Sequence, residues 1–533
     1  MTQAGTAPAA TESRAKPIVW SIAGNDSGGG AGLAADLRAA EAFGVHLCPV
    51  VAAVTAQNSQ AVTHIDAVAP DVLDAQLAAL AADLPPAALK TGLLGGRAQI
   101  EVVARWVDRL RERSPVALVV DPVLRASSGA DFAAADTVAA YRELLLPRAT
   151  LVTPNRREAE RLAGVDEGSA DAPELARRLQ ALGATSVCIT GGDDGAGQGD
   201  WALDWIDTAH ASGWLALPRH ATPHTHGTGC TFATSAASAL ALGFVPADAL
   251  VLAKMATTQA LRDGYAAGQG AGPVHARAGF GTQADLMPVL SWDENSDFDS
   301  CQRLPGARQS PISLENELGL YAIVDSAERV RQVVAAGVRV VQLRIKTPDA
   351  TLRAAVAQAL AACNAAGATL VVNDHWRLAA ELRAPAVHLG QEDLQALGSE
   401  GRAELAASGL KLGVSSHSLW ELARARGLRP WYAACGPVWP TLTKAMPWVP
   451  QGMDNLAWWV HMAGVPVVAI GGILAPEQLT EAARSGASGV CVVRGLGDDP
   501  ARTVPAWQAA LQAGRAAPPL PVPALPHPSL GVQ

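Results

Sequence analysis

Two short stretches hold residue types that could do chemistry. Residues 224–231 read HTHGTGCT, with two histidines and a cysteine within seven positions. Three chemistries fit such a set. A zinc site needs converging ligands, yet His224, His226 and Cys230 match no finger spacing and no second cluster completes the set. A thiol nucleophile at Cys230 needs a base and a lowered pKa, and a helix N-terminus could supply the second. The third chemistry is anion binding. Gly227, Thr228 and Gly229 precede TFATSAASALALGF, a predicted helix, so glycine allows close backbone approach and the free N–H groups of the first turn face an anion. An anion hole accounts for most of these residues at once. A glycine turn that merely starts a helix is the plain alternative.

The other stretch is QLRIK, which puts Gln342, Arg344 and Lys346 on alternate positions of a predicted strand and therefore on one face. Two cations buried without partners are costly, so a bound polyanion is the expected companion. Asp374 in VVND and Asp393 in GQED end the next two strand-like runs. Paired carboxylates in that position suit magnesium on a diphosphate, the alternative being two loop caps.

These residues need elements to position them. Short apolar runs alternate with alanine-rich helical patterns in both halves, which predicts parallel sheets covered by helices. In the first half PIVWSIAG, HLCPVVAAVTA, AALKTG, VALVVDPV, ATLVTPN and SVCITGG each end in small or polar residues, where α/β proteins keep ligand sites. The second half offers LYAIVD, VVQLRIK, TLVVND, AVHLGQED, KLGVSS, YAACGPVWP, PVVAIGG and GVCVVRG. Strand-like runs in that number, with helices between, predict a (β/α)8 barrel with its chemistry at the strand C-termini.

A chain of 533 residues exceeds the size at which one core stops growing, so two large domains are expected. The 41 basic and 50 acidic residues give a net charge of -9 with no long single-sign run, which argues against nucleic acid and for small-molecule partners. Cys48, Cys188, Cys230, Cys301, Cys363, Cys435 and Cys491 stand apart with no CxxC pair, so no disulfide framework is suggested and a reducing cytoplasm is expected. The start, MTQAGTAPAATESRAKP, lacks the apolar core of a signal peptide, and no membrane association is expected. SWDENSDFDSCQRLPGARQSP, within 281–315, reads as a linker. The proline-rich AAPPLPVPALPHPSLGVQ reads as a disordered or extended tail.

AGNDSGGGAGLAAD, TAQN, KTGLLG, DPVL, TPNRREAE, HTHGTGCT and GPVH follow one another in the order and approximate spacing of a single family. Residues 17–280 resemble the hydroxymethylpyrimidine/phosphomethylpyrimidine kinases, members of the ribokinase-like superfamily. The resemblance implies an α/β/α sandwich, ATP as co-substrate, and two successive phosphoryl transfers ending in the pyrimidine diphosphate. It assigns Gly227, Thr228, Gly229 and Cys230 to the anion hole, with Cys230 receiving the substrate hydroxyl proton. Asn155 and Glu158, spaced NxxE, would fix Mg2+ on the ATP phosphates, a helix cap and a solvated acid being the alternative. Thr190 and Gly191 would contact ATP. Gln57 would pair with the pyrimidine edge and Asp36 would support the same pocket, although a single acid on an alanine-rich helix suits a surface equally well. Many sugar kinases of the superfamily have aspartate where this chain has Cys230. A pyridoxal-type kinase, which also favours aspartate there, is the rival reading. Two departures stand out: GNDSGGG where a proline and serine usually follow the aspartate, and ITGGDD where relatives often have KGGH.

QLRIK, VVND and GQED are followed by GVSSH, GPVWPTLTK, AIGG and GVCVVRG. Together they resemble thiamine phosphate synthase over residues 316–513, a TIM barrel. The resemblance assigns Gln342, Leu343, Arg344, Ile345, Lys346, Asn373, Ser415 and Lys444 to the pyrimidine diphosphate, and Asp374 and Asp393 to magnesium. It assigns Thr441, Thr443, Gly472, Val493 and Arg494 to the thiazole phosphate. Relatives often have serine and alanine where this chain has Arg494 and Gly495. The implied reactions are consecutive, since the kinase product is the electrophile of the synthase. A regulatory module without turnover is the contrasting reading, against which the paired acids and cations argue. A homo-oligomer stays open.

Overall fold

The computed structural model describes residues 15–124, 134–192, 200–294, 318–441 and 447–531. In the first half a ten-stranded sheet is built from β1 (Ile18–Asp26), β2 (His46–Gln57), β3 (Val62–Ala67), β4 (Ala88–Thr91), β5 (Ala117–Val120), β6 (Leu151–Val152), β7 (Val187–Thr190), β8 (Trp201–Asp207), β9 (Ser212–Pro218) and β10 (Val289–Leu290). Their order is β10-β9-β8-β7-β6-β5-β4-β1-β2-β3. The pairings among β2, β1, β4, β5, β6 and β7 are parallel, while β3 and β8 to β10 join antiparallel at the two edges. Alternation along each strand makes two apolar layers. Trp20 and Ile22 face the layer under the helices Pro70–Asp83 and Arg97–Arg111, and Val19 faces the layer under Thr228–Ala241 and Pro246–Arg262. The result is the expected α/β/α sandwich.

The second half closes into a barrel of β11 (Gly319–Val324), β12 (Val340–Leu343), β13 (Thr369–Asn373), β14 (Ala386–Leu389), β15 (Lys411–Ser416), β16 (Tyr432–Cys435), β17 (Val467–Ala469) and β18 (Gly489–Val492). Every neighbouring pair is parallel, and β18 returns to β11. Tyr321, Val340, Val371, Tyr432 and Cys491 fill the interior. Among the described residues, no helix is long and apolar enough to cross a membrane.

One sequence reading requires correction. The linker expected from residue 281 does not begin there. Leu286, Met287 and Leu290 are buried, and β10 pairs with β9, because these apolar side chains complete the sheet edge. Residues 295–317 lie outside the described residues. Of the two states expected for the proline-rich tail the extended one is realised, since its backbone finds partners. Arg484 Nε donates to Pro518 O (3.1 Å), Leu520 N–H to Arg484 O (3.1 Å), and Val449 N–H to Ser529 O (2.8 Å). Asn455 and the His527 backbone exchange two bonds of 2.8 and 3.0 Å.

The halves also pack on each other. Trp458 Nε1 donates to Gly281 O (2.7 Å) and Arg424 Nη2 to Ser212 O (2.7 Å). The buried carboxylate of Asp248, on helix Pro246–Arg262, accepts the Trp420 N–H (3.0 Å) at the start of barrel helix Leu419–Gly427. Burial pushes the Asp248 carboxyl up to about 7, with Glu421 adding and the Trp420 and Leu419 N–H groups opposing. A carboxyl raised on folding binds more protons in the folded state, so its contribution to stability is full in acid and falls as pH rises from about 4 to about 7. Asp248→Asn is expected to remove a slope of up to about 1.4 kcal/mol per pH unit across that window. Denaturant unfolding between pH 4 and 8 checks this, and an unchanged slope in the variant would refute it.

Candidate active sites

The first site forms where the C-terminal ends of β1 and β2 meet helix Thr228–Ala241. Asp26, at the end of β1, organises the glycine loop by accepting N–H groups from Gly28 (2.8 Å), Gly30 (3.0 Å) and Ala31 (2.7 Å). His226 Nε2 lies 3.0 Å from the same carboxylate. Burial alone would raise the Asp26 pKa; the bonds from His226, Ala31 and Gly28 outweigh it and hold the carboxyl below its ordinary value. Gly227 caps the helix at φ 86°, in the left-handed region, and a Cβ there would stand 2.3 Å from Gly30 O. Only glycine fits that approach. The Thr228 hydroxyl donates to Thr225 O (2.7 Å), toward which its N–H also points (3.3 Å). Among the described residues, no acceptor meets the Gly229 and Cys230 N–H groups. Two first-turn donors are thus open for an anion.

Beside this turn Gln57 Nε2 lies 3.2 Å from His226 Nε2. A cleft of about 250 Å³ opens there, lined by Gly28, Gly30, Asn58, Ser59, His226 and Pro273. With His226 turned to Asp26 and Gln57, and no group of three metal-ligating side chains among the described residues, the zinc reading finds no site.

Beneath the turn is a buried charge cluster. Lys90 Nζ, fully buried on β4, sits 3.1 and 3.2 Å from the two oxygens of Asp36 and 3.6 Å from Asp121 Oδ2. Burial would lower its pKa, but Asp36, Cys230 and Asp121 outweigh that and keep it charged. Burial pushes the Asp121 carboxyl up to about 6 against the pull of Lys90, and its Oδ2 makes no hydrogen bond among the described residues. Burial also pushes the Cys230 thiol up to about 12; Asp36 and Asp121 add to this, while Lys90 and the Gly32 N–H oppose it. A thiol so placed stays protonated at neutral pH, which disfavours the thiol-nucleophile reading. Asp36 is corrected by its partners. It is neither at the surface nor in the cleft, because Ser21 Oγ (2.6 Å), Thr234 Oγ1 (2.7 Å) and Lys90 take up its oxygens inside the core.

Farther along the sheet edge, Asn155 caps helix Arg156–Ala163. Its Oδ1 accepts the Glu158 N–H (2.9 Å), and Glu158 Oε2 accepts the Asn155 N–H (3.0 Å). The helix-cap alternative is therefore realised, but the acid is buried and also takes the Leu124 N–H (3.4 Å). Thr190, at the end of β7, bridges to Asn155. The Gly191 N–H is committed to Asp204 (3.0 Å), itself paired with Lys254 at 2.7 Å. The rest of that loop, 193–199, lies outside the described residues.

The second site is the C-terminal rim of the barrel. β12 stops at Leu343, so the expected run of alternate cations is shortened: Gln342 is buried inside, Arg344 is half-buried just beyond the strand, and Lys346 is exposed. Leu343 packs into the apolar layer outside the barrel and Ile345 packs against that layer, leaving only their backbone for a ligand. Asn373 is buried at the end of β13 and hydrogen-bonds Asp374, which stands at φ 66°. Such a conformation in a residue other than glycine stores strain, a feature common at binding sites. Burial and then Asp393 push the Asp374 carboxyl up, against Arg344 and His375. The two acids therefore feel each other across one rim, with a guanidinium beside them, and this donor set fits a hard divalent cation bridging to an anion. Asp393 also accepts the Gly390 N–H (2.9 Å). Ser415 Oγ lies 3.0 Å from His388 Nε2. Gly472 has φ 74°, and a Cβ there would stand 2.6 Å from Trp439 Cβ. Val493 and Arg494 are exposed, and Thr441 is half-buried. Thr443 and Lys444 lie outside the described residues.

Lys90, Asp121, His388 and the ring residues Tyr321 and Tyr432 were not singled out from sequence. A lysine inside the apolar run AALKTG was the available signal for the first.

The fold and its anion turn define the first half as a phosphoryl transferase, and the barrel with its paired acids and guanidinium defines a partner for a phosphorylated substrate. Residues 26–275 match the family model described as phosphomethylpyrimidine kinase, and residues 320–496 match that of thiamine monophosphate synthase. The chain is 31% identical over 490 residues to the thiamine biosynthetic bifunctional enzyme TH1, chloroplastic, of Arabidopsis thaliana, covering 87% of this chain and 86% of that one. The first half is 45% identical over 262 residues to a hydroxymethylpyrimidine/phosphomethylpyrimidine kinase of Synechococcus elongatus, covering 49% of this chain and 97% of that protein. The barrel is 46% identical over 197 residues to a thiamine-phosphate synthase of Rhizobium etli, covering 36% of this chain and 93% of that protein. The chain belongs to the family of thiamine biosynthetic bifunctional enzymes. It joins a hydroxymethylpyrimidine/phosphomethylpyrimidine kinase half to a thiamine-phosphate synthase half, both transferases.

Removing the cation from the buried cluster leaves two carboxylates uncompensated. Lys90→Met is expected to cost the kinase half about 3–5 kcal/mol in denaturant unfolding, and Asp36→Asn in addition should recover part of it. A loss below about 1 kcal/mol for Lys90→Met would contradict the cluster as drawn.

Proposed function

We propose that the kinase unit, expected over 17–280, includes β10 at Val289–Leu290 and that the synthase unit, expected over 316–513, is the barrel that opens with β11 at Gly319, and that each works at the C-terminal ends of its own strands. The observation that carries this reading is that both units present an anion cradle there: open N–H groups at Gly229 and Cys230 in one, and Asp374, Asp393 and Arg344 converging on one rim in the other. Charge developing on the transferred phosphoryl group would be held by those two N–H groups, each a type of donor worth about 2.7–4 kcal/mol. Gln57, beside the cleft, would pair with the pyrimidine edge. Cys230 would hydrogen-bond the substrate hydroxyl and take its proton as the new O–P bond forms. The thiolate this needs is favoured by Lys90 and the Gly32 N–H and opposed by burial, Asp36 and Asp121.

ATP is the co-substrate in this reading, with magnesium screening its phosphates when bound. Asn155 and Glu158 already cap a helix and each other, so they would hold the ion through its water shell. In the barrel, Asp374 and Asp393 would hold magnesium, while Arg344, Lys346, Asn373, Ser415 and Lys444 would hold the pyrimidine diphosphate. Thr441, Thr443, Gly472 and the backbone at Val493 and Arg494 would cradle the thiazole phosphate. The C–O bond to diphosphate breaks first and the pyrimidine-methyl cation is trapped by the thiazole nitrogen, whose lone pair makes the new C–N bond. A tertiary ring nitrogen has no proton to lose, so the barrel needs no general base. The described cysteines are free thiols, which supports a reducing, cytoplasmic setting.

Two measurements test these roles. If the Cys230 thiolate accepts the proton, kinase kcat/KM should climb with pH between 7 and 9 by up to about tenfold per unit, and Cys230→Ser should remove the climb. A flat wild-type profile would rule out Cys230 as the proton acceptor. Asp374→Asn should lower magnesium-dependent synthase turnover by at least about 100-fold while kinase turnover stays within twofold. Unchanged synthase turnover would remove Asp374 from the metal site.

A further inference from the structure

Five polar groups stand in single file across the barrel interior. Gln342 Nε2 donates to Tyr321 Oη (2.9 Å), Tyr321 Oη meets Tyr432 Oη (2.7 Å), Tyr432 Oη meets His388 Nδ1 (3.0 Å), and His388 Nε2 meets Ser415 Oγ (3.0 Å). The file visits strands β12, β11, β16, β14 and β15 in turn. Tyr321, Tyr432, Gln342 and His388 are buried, and Ser415 alone is half-exposed at the rim.

Each hydroxyl in such a file has one proton, so the direction of the first bond fixes all the others. An amide nitrogen can only donate. Tyr321 therefore accepts from Gln342 and passes its own proton toward Tyr432, and Tyr432 passes its proton toward His388. Because Nδ1 accepts from Tyr432 it carries no hydrogen of its own, so the ring is neutral. A neutral ring that accepts at Nδ1 carries its hydrogen on Nε2 and donates it to Ser415. Ser415 Oγ is then an acceptor toward His388, and its own hydrogen is free to point out of the rim. Turning the Gln342 amide over would reverse every bond in the file and leave Ser415 as an acceptor toward the ligand.

We propose that this relay makes Ser415 an obligate hydrogen-bond donor to the substrate, so that the synthase selects a pyrimidine presenting an unprotonated ring nitrogen at that position. Tyr321, Tyr432 and His388 are positioning residues: they do not touch the substrate but set the direction of the one hydroxyl that does. The inference rests on the reading that Ser415 faces the pyrimidine diphosphate.

The test uses the full-length protein with the pyrimidine diphosphate and with its two analogues in which one ring nitrogen is replaced by C–H. For the wild type, one analogue should show a KM raised by about 3- to 10-fold with kcat little changed, the size of one neutral hydrogen bond. Tyr432→Phe cuts the file at its middle. It should raise the KM of the parent substrate by a similar factor, leave kcat within about twofold, and bring the ratio of parent to analogue close to one. Tyr321→Phe removes the hydroxyl that links the Gln342 amide to Tyr432 and should weaken the discrimination in the same direction. Kinase turnover of the same preparations reports folding of the chain. Two results would overturn the relay: Tyr432→Phe discriminating as well as the wild type, or a wild type that turns over both analogues like the parent. A wild type without synthase turnover on the parent substrate would instead overturn the underlying reading, and the relay with it.

Discussion

Much of the kinase half depends on one ammonium group. Lys90, on β4, has no access to solvent, and its two acidic partners come from different elements: Asp36 from helix Gly32–Ala42 and Asp121 from the end of β5. Asp36 in turn holds Ser21 of β1 and Thr234 of helix Thr228–Ala241. The helix that begins at the glycine loop and the helix that begins at the anion turn are thus tied to the same point below the site. A buried ion pair is seldom a source of net stability, because desolvation offsets most of the attraction. Its effect here is positional: it fixes the register of two helix N-termini whose backbone groups must face one ligand. The close approach of Gly227 to Gly30, which any side chain would prevent, is the geometric consequence.

The barrel solves the same problem differently. Among the described residues its interior holds no ion pair of that kind but a file of neutral hydrogen bonds among Gln342, Tyr321, Tyr432, His388 and Ser415. In the sandwich a charge organises backbone donors; in the barrel, neutral groups orient a side-chain donor. Both leave their chemistry at strand C-termini, where parallel strands present ends that no neighbour covers. The two halves also share apolar surface, with Asp248 of one capping a helix of the other, so the chain is more than two enzymes on a tether.

The parallel strands were legible because each is a short apolar run ending in small residues. All eight barrel strands, and β1, β2, β4, β5, β6 and β7, coincide to within two residues at either end with runs that the sequence marks or fall inside them. The antiparallel edge was not. WALDWID and SGWLALP mix polar and apolar positions, and β10 is two residues inside a stretch that looks like a linker. Edge strands are half-covered, so their composition says little. For the tail, proline content predicts an extended backbone, which the structure shows, but not that Asn455 and Arg484 bond it. At the sites, spacing revealed the turn and the paired acids because their chemistry is local. Lys90, Asp121 and the tyrosine relay come together only in three dimensions, and for Asp36 pocket support and a surface place were equally open because its partners are far away in sequence.

The most direct test of the whole account is the yield of thiamine phosphate, detected by mass, from the purified chain given hydroxymethylpyrimidine, ATP, magnesium and thiazole phosphate, beside a control given the pyrimidine diphosphate. The account predicts product in both. Product in the control alone would contradict the kinase half, and product in neither would contradict the barrel site.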